Sequence, residues 1–200
     1  RSSHPVLLDL IKLACEVHLG GMLGGKAGVL HLHVGDGQEG LSLLLEMMER
    51  SDLPLKMFVP THVNRSPLLF SAALDYCRAG GLIDLTAGET AGISVPHGIM
   101  RMVRAGIDLS RVTVSSDANG SNPDGNPGRI QVLYDDLKSS IVENGLKPEI
   151  IWPLFSENVA KVLKLYPQKG VLTEGSDADI LIADRNYTIR MLFCRGTLFS

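Results

Sequence analysis

Met57-Phe58-Val59-Pro60-Thr61-His62-Val63-Asn64-Arg65 is a short apolar run that stops in a histidine, an amide and a guanidinium. Its apolar front reads as a strand, Lys56 to Val59, whose carboxyl end presents polar chemistry. The same design recurs along the chain. Val29-Leu30-His31-Leu32-His33 reads as a buried strand that runs into the turn Gly35-Asp36-Gly37. Leu82-Ile83-Asp84-Leu85 is a strand followed by Thr86, and Arg111-Val112-Thr113-Val114-Ser115 is a strand followed by Ser116-Asp117.

Between these runs the apolar positions switch to helical spacing. Val6 to His18 reads as a helix ended by Gly20-Gly21, and Leu41 to Arg50 as one broken by Asp52-Leu53-Pro54. Leu68 to Ala79 stops at Gly80-Gly81, and Pro96 to Ala105 at Gly106. Strands alternating with helices predict a parallel sheet with crossover helices, either a (β/α)8 barrel or a doubly wound sheet. The polar residues separate the two: His33, His62, Thr86 and Asp117 sit at or just past successive carboxyl ends, and in a barrel those positions converge on one face.

After Asp117 the run Asn119 to Gly128 is rich in turn formers and long enough to act as an active-site flap. Helices Val132 to Glu143 and Pro148 to Leu165, the second broken by Pro153, close an α/β part over residues 1–168. Residues 169–200 change character. Two short strands, Ile180 to Ala183 and Ile189 to Phe193, precede a turn at Gly196 and the run Thr197-Leu198-Phe199, and read as part of a small β domain.

With 44% hydrophobic residues, 200 residues suffice for one core-forming domain with a small appendage. The formal net charge of -3 provides no basic stripe for nucleic acid or an anionic membrane. Cys15, Cys77 and Cys194 are scattered and odd in number, which suits reduced thiols and a cytoplasmic setting. No apolar run approaches the roughly 20 residues needed to span a bilayer. Arg1-Ser2-Ser3-His4-Pro5 reads as a loop entering a helix, the middle of a longer protein.

His33, His62 and Asp117 form a donor set suited to zinc, which takes imidazole nitrogen and carboxylate oxygen; the competing reading is that strand-end histidines merely satisfy backbone groups. His31 shares a strand face with His33 and is not taken as a ligand. His4, His18 and His97 lie in helices or loops. Gly20 to Lys26 lacks the Gly-Lys-Ser/Thr ending of a phosphate cradle and precedes a strand, so it reads as a tight connection. Asp36 either caps the next helix or braces the His33 loop.

Three motifs together, His33-Val34-Gly35-Asp36, Pro60-Thr61-His62-Val63-Asn64-Arg65 and Ser115-Ser116-Asp117-Ala118-Asn119-Gly120-Ser121, resemble the isoaspartyl (β-aspartyl) dipeptidases of the amidohydrolase superfamily. The likeness extends to Gly20-Gly21-Met22-Leu23-Gly24-Gly25-Lys26, Gly80-Gly81-Leu82-Ile83-Asp84 and Gly175-Ser176-Asp177-Ala178-Asp179-Ile180-Leu181. The last is common to many amidohydrolases and specifies little; the Pro-Thr-His-Val-Asn-Arg run is the most specific.

The resemblance implies the carboxyl-terminal half of a TIM-like (β/α)8 barrel with part of a small β-sandwich domain. It implies a two-zinc centre whose bridging hydroxide attacks a β-aspartyl peptide bond. His33 and His62 would bind one zinc. Asp117 would bind the other and carry the proton to the leaving amine, while Arg65, Ser121 and Arg1 would bind substrate carboxylates. The implied partners are a small dipeptide and, in the intact protein, further copies of itself. The first-strand His-x-His and the bridging lysine of the family have no counterpart, and Lys26 is wrongly placed to replace the latter. The 200 residues alone are therefore expected to be inactive and, with an open apolar flank, to associate. Two other readings stand beside this one: a non-catalytic amidohydrolase-like association module, and an amidohydrolase acting on a cyclic amide.

Overall fold

The computed structural model describes residues 5–120 and 127–199. Four parallel-type units open the chain: α1 (Leu7–Leu23), β1 (Leu30–His33), α2 (Ser42–Glu49), β2 (Phe58–Thr61), α3 (Pro67–Arg78), β3 (Ile83–Thr86), α4 (Val95–Arg104) and β4 (Val112–Ser115). Helices α5 (Gln131–Val142), α6 (Pro148–Phe155) and α7 (Glu157–Val162) follow, and then strands β5 (Ile180–Ala183), β6 (Ile189–Cys194) and β7 (Thr197–Phe199).

β1 pairs in parallel with β2, Leu30 opposite Phe58 and His33 opposite Thr61. β3 pairs in parallel with β4, Ile83 opposite Val112 and Thr86 opposite Ser115. β2 and β3 lie side by side, yet no ladder joins them: the four strands form two two-stranded sheets. The α/β alternation is as expected, and within each pair the partners are consecutive in sequence.

Local chemistry explains the helices that pack on these strands. Ser66 caps α3, its hydroxyl accepting from the Leu69 N–H at 3.2 Å, and Pro67 occupies the first turn. Leu69, Phe70, Ala73, Tyr76 and Cys77 then recur at helical spacing and are buried. The Tyr76 hydroxyl donates to the Phe58 carbonyl at 3.2 Å and so ties α3 to the start of β2. Asn158 of α7 donates to the carbonyls of Leu109 and Val112, both at 2.8 Å, anchoring the foot of β4.

Several boundaries differ from the sequence expectation. α1 does not stop at Gly20-Gly21 but continues to Leu23. Gly21 is a packing site: a Cβ there would stand 2.6 Å from the Gly28 Cα, so its absence lets the following loop fold back onto the helix. The strand placed at Lys56 to Val59 begins only at Phe58, after a 3-10 turn over Leu55–Met57, and extends through Pro60 to Thr61. The helix placed at Pro148 to Leu165 breaks at Ser156 (φ -139°, ψ -76°) rather than at Pro153, which lies inside α6.

β1, expected to be buried, buries only Leu30; His31 and His33 are exposed and Leu32 is half-buried. Among the described residues β1 is hydrogen-bonded to a strand on one side only. In the tail, Thr197–Phe199 is a third strand, so β5, β6 and β7 form an antiparallel sheet with Ile180 opposite Phe193 and Leu192 opposite Phe199. Tyr134 of α5 donates to the Tyr187 carbonyl at 2.9 Å and ties this sheet to the α/β part. Among the described residues no helix is long and apolar enough to cross a membrane.

Candidate metal centre

The carboxyl ends of the four strands meet, as their polar residues predict. His33 ends β1; His62 follows β2; Thr86 ends β3; Asp117 stands two residues past β4. His62 Nε2 lies 2.9 Å from His33 Nδ1 and 3.8 Å from Asp117 Oδ2. One ligand atom from each of His33, His62 and Asp117 falls within 4.8 Å of the others. His62 is buried, Asp117 half-buried and His33 exposed, so the group opens to solvent on the His33 side.

Backbone conformation aims two of these side chains. His62 (φ 65°) and Asp117 (φ 49°) both adopt left-handed backbone. Such a conformation costs about 1–3 kcal/mol in a non-glycine residue and persists where its surroundings over-determine it. Here it turns each chain sharply off its strand end. At Asp117 the turn is closed by the Gly120 N–H donating to the Asp117 carbonyl at 2.9 Å.

The donor set fits a divalent cation. His62 Nδ1 is 2.6 Å from the Thr86 hydroxyl. With Nδ1 protonated and donating to that hydroxyl, Nε2 keeps its lone pair and points at His33 and Asp117. Burial, with the Arg65 guanidinium and His33 nearby, holds the His62 pKa below the usual imidazole range against the opposing pull of Asp117 and Asp84. A neutral imidazole is the form that binds metal.

Asn64, read from sequence only as part of a motif, stitches the site together. Fully buried, it donates to the carbonyls of Thr86 (3.0 Å) and Ile93 (2.9 Å) and accepts from the Thr86 N–H at 2.8 Å. Its amide thus gives Thr86 both partners that a neighbouring strand would supply. Thr86, held in this way, in turn orients His62. Asp84, in sequence a single carboxylate between aliphatic neighbours, also takes a role here. It is 3% exposed and accepts from the hydroxyls of Thr61, Thr113 and Ser115, each at 2.6 Å. Burial alone pushes its pKa up, but the polar neighbours His31, Ser115, Thr113 and Thr61 outweigh it and hold the carboxyl below the usual range. His31 Nε2 stands 3.8 Å away, beyond hydrogen-bond reach, and the three hydroxyls bond the carboxylate directly.

Arg65 reaches back to the β1 loop, donating to the Val34 carbonyl at 3.3 Å with Nε 3.7 Å from Asp36 Oδ1. Of its two readings, Asp36 therefore takes the brace; no side chain caps α2. His31 stays outside the metal group and faces Asp84, while His97 pairs with Ser94 at 2.9 Å. Arg1 and Ser121 lie outside the described residues. Two surface clefts, one between α4 and α6 and one bordered by Met57, Leu82 and Ser110 near the strand amino ends, contain none of the candidate ligands.

No family model matches the chain. A D-phenylhydantoinase of Escherichia coli O81 is 38% identical over 65 residues, 31% of this chain and 13% of that enzyme. The D-phenylhydantoinase of Escherichia coli O7:K1 is 35% identical over 77 residues, 16% of its length. Among solved structures, a β-aspartyl dipeptidase of Fervidobacterium islandicum AW-1 superposes with a TM-score of 0.89 at 31% identity, covering 98% of this chain and 52% of that one. The same enzyme in complex with a β-Asp-Leu dipeptide gives 0.88 and 29%, with 54% of that chain covered. An amidohydrolase of Thermotoga maritima shares the fold alone, with a TM-score of 0.62 at 15% identity. The chain is thus a structural relative of β-aspartyl dipeptidase and other amidohydrolases, and it spans about half the length of those enzymes.

Proposed function

We propose that this chain is the carboxyl-terminal half of a zinc-dependent β-aspartyl dipeptidase and supplies half of its metal shell. The observation that carries the reading is the convergence of His33 Nδ1, His62 Nε2 and an Asp117 carboxylate oxygen at the joined strand ends. In this reading His33 and His62 hold one zinc and Asp117 reaches the second. A zinc pair, when bound, supplies a hydroxide at neutral pH and polarises the scissile carbonyl. Asp117 takes up the proton released as the amide is attacked and delivers it to the leaving amine. Arg65 pairs with a substrate carboxylate, for which a guanidinium offers two parallel donors; Ser121 and Arg1 add to that binding. The coverage of the relatives supports placing the chain as a half, and the two-zinc centre, the dipeptide and a homo-oligomeric intact enzyme go with that placement.

Joined to the residues that complete the shell and loaded with zinc, the enzyme is expected to turn over β-aspartyl-leucine and to leave α-aspartyl-leucine untouched. Equal turnover of the two isomers, or none of the β isomer, sinks the reading. The 200 residues alone are expected to show no turnover and less than a stoichiometric zinc pair by metal analysis. The matches to D-phenylhydantoinases favour a second reading, hydrolysis of a cyclic amide. Activity retained after Arg65→Ala, on a cyclic amide and not on the dipeptide, selects it.

A further inference from the structure

The candidate ligands come from strands that no single ladder holds together. His33 and His62 belong to the β1–β2 pair, Asp117 to the β3–β4 pair, and no backbone ladder crosses from β2 to β3. Something other than the sheet must set the distance from His62 to Asp117. At the strand ends the Asn64 amide bridges to Thr86 and Ile93. The other bridge is Asp84, on the central strand of this interrupted set. Its Oδ2 accepts from Thr61, on β2, and from Ser115, on β4; its Oδ1 accepts from Thr113, also on β4.

Thr61 immediately precedes His62, and Ser115 stands two residues before Asp117. One carboxylate therefore grips the residues that launch both ligands. A stability role alone explains this poorly. A carboxylate only 3% exposed, held by three hydroxyls with the His31 imidazole 3.8 Å away, carries a desolvation cost that a small apolar side chain would avoid. What the carboxylate offers is acceptor capacity for three donors at once.

We infer that Asp84 is a positioning residue, a clasp between β2 and β4 that sets the spacing of His62 and Asp117. The inference rests on the metal-centre reading for its consequence, and on the hydroxyl contacts for the clasp itself.

The test uses the 200-residue chain in two arms. In the first, cobalt(II) is titrated into wild type, Asp84→Ala and Asp84→Asn and followed by its visible absorption. Asp84→Ala is expected to weaken cobalt binding by about 10- to 100-fold, as loss of a residue supporting a ligand does, whereas Asp84→Asn, which keeps the shape and can still pair with hydroxyls, stays within about 3-fold. In the second arm the metal-free proteins are compared by long-range 15N histidine NMR. Wild-type His62 is expected in one tautomer, protonated at Nδ1 on Thr86, and Asp84→Ala is expected to average the two.

An unchanged cobalt affinity and an unchanged His62 signal in a folded Asp84→Ala protein overturn the inference. So does equal weakening by Asn and Ala, which would make charge and not geometry the cause. If Asp84→Ala does not fold, Thr113→Val and Ser115→Ala decide: each is expected to loosen cobalt binding, and a lower melting temperature with unaltered affinity and histidine spectrum overturns the clasp. Should wild type take up no cobalt while the histidine arm behaves as expected, the metal-centre reading falls and the clasp stands.

Discussion

Replacing Asn64 by alanine removes both hydrogen-bond partners of the Thr86 peptide group at once, and one from Ile93. Each buried group left unpaired costs about 1–3 kcal/mol, so Asn64→Ala is expected to lower stability by about 3 kcal/mol or more in urea unfolding. Cys77 invites a chemical test. Burial pushes its thiol up to about 11, with Arg111 pulling the other way. Cys15 and Cys194 are exposed. Iodoacetamide at neutral pH is expected to alkylate Cys15 and Cys194 in the folded chain and to reach Cys77 only after unfolding, read by peptide mass. Asp84 carries a pH dependence with a definite sign. Its folded pKa lies below the ordinary carboxylate value, so its contribution is present above that value and is lost as pH falls through the folded pKa. Acid titration of stability is expected to be shallower in Asp84→Asn than in wild type below about pH 4. At this scale the candidate ligands are legible because histidine and aspartate stand at strand ends. The roles of Asn64, Thr86 and Asp84 are not, since a hydrogen bond spanning more than twenty residues leaves no local pattern.

In α1 the adjacent glycines behave oppositely. Nothing lies within 4 Å of a Cβ at Gly20, whereas one at Gly21 would meet the Gly28 backbone at 2.6 Å. Gly20→Ala is expected to raise stability by about 0.5–1 kcal/mol through helix propensity. Gly21→Ala is expected to lower it and to unseat the loop that leads to β1, and thermal melting of the pair checks both signs. Paired glycines usually punctuate a helix, so the sequence predicts an end there; packing against Gly28 is a long-range fact that local propensity does not carry. The extended carboxyl end of β2 has a similar origin. Pro60 lacks an N–H and reads as a strand end, but in the parallel register with Leu32 the strand runs through it to Thr61. α3 and α4, by contrast, sit within a residue or two of their expected bounds, because a cap, a first-turn proline and terminal glycines all speak locally.

For the molecule as a whole, the outer face of α1 bears an apolar stripe. Leu8, Cys15, Leu19 and Met22 recur at spacings of seven, four and three; the leucines and the methionine are 76%, 51% and 59% exposed. Sedimentation velocity is expected to show concentration-dependent association of the 200-residue chain, reduced in Leu8→Glu and Leu19→Lys variants. The alternation of helices and strands, and the gathering of His33, His62 and Asp117 at one end of the strands, followed from sequence alone. Hydrophobic periodicity is a local signal, and parallel strands joined by crossover helices bring their carboxyl ends to one side. Only the tertiary structure decided that the sheet breaks between β2 and β3 and that Asn64 and Asp84 bridge the break. It also decided that His62 and Asp117 turn on left-handed backbone to face each other. These depend on contacts between residues far apart in the chain, where burial and unpaired polar groups, not neighbouring propensities, set the energy.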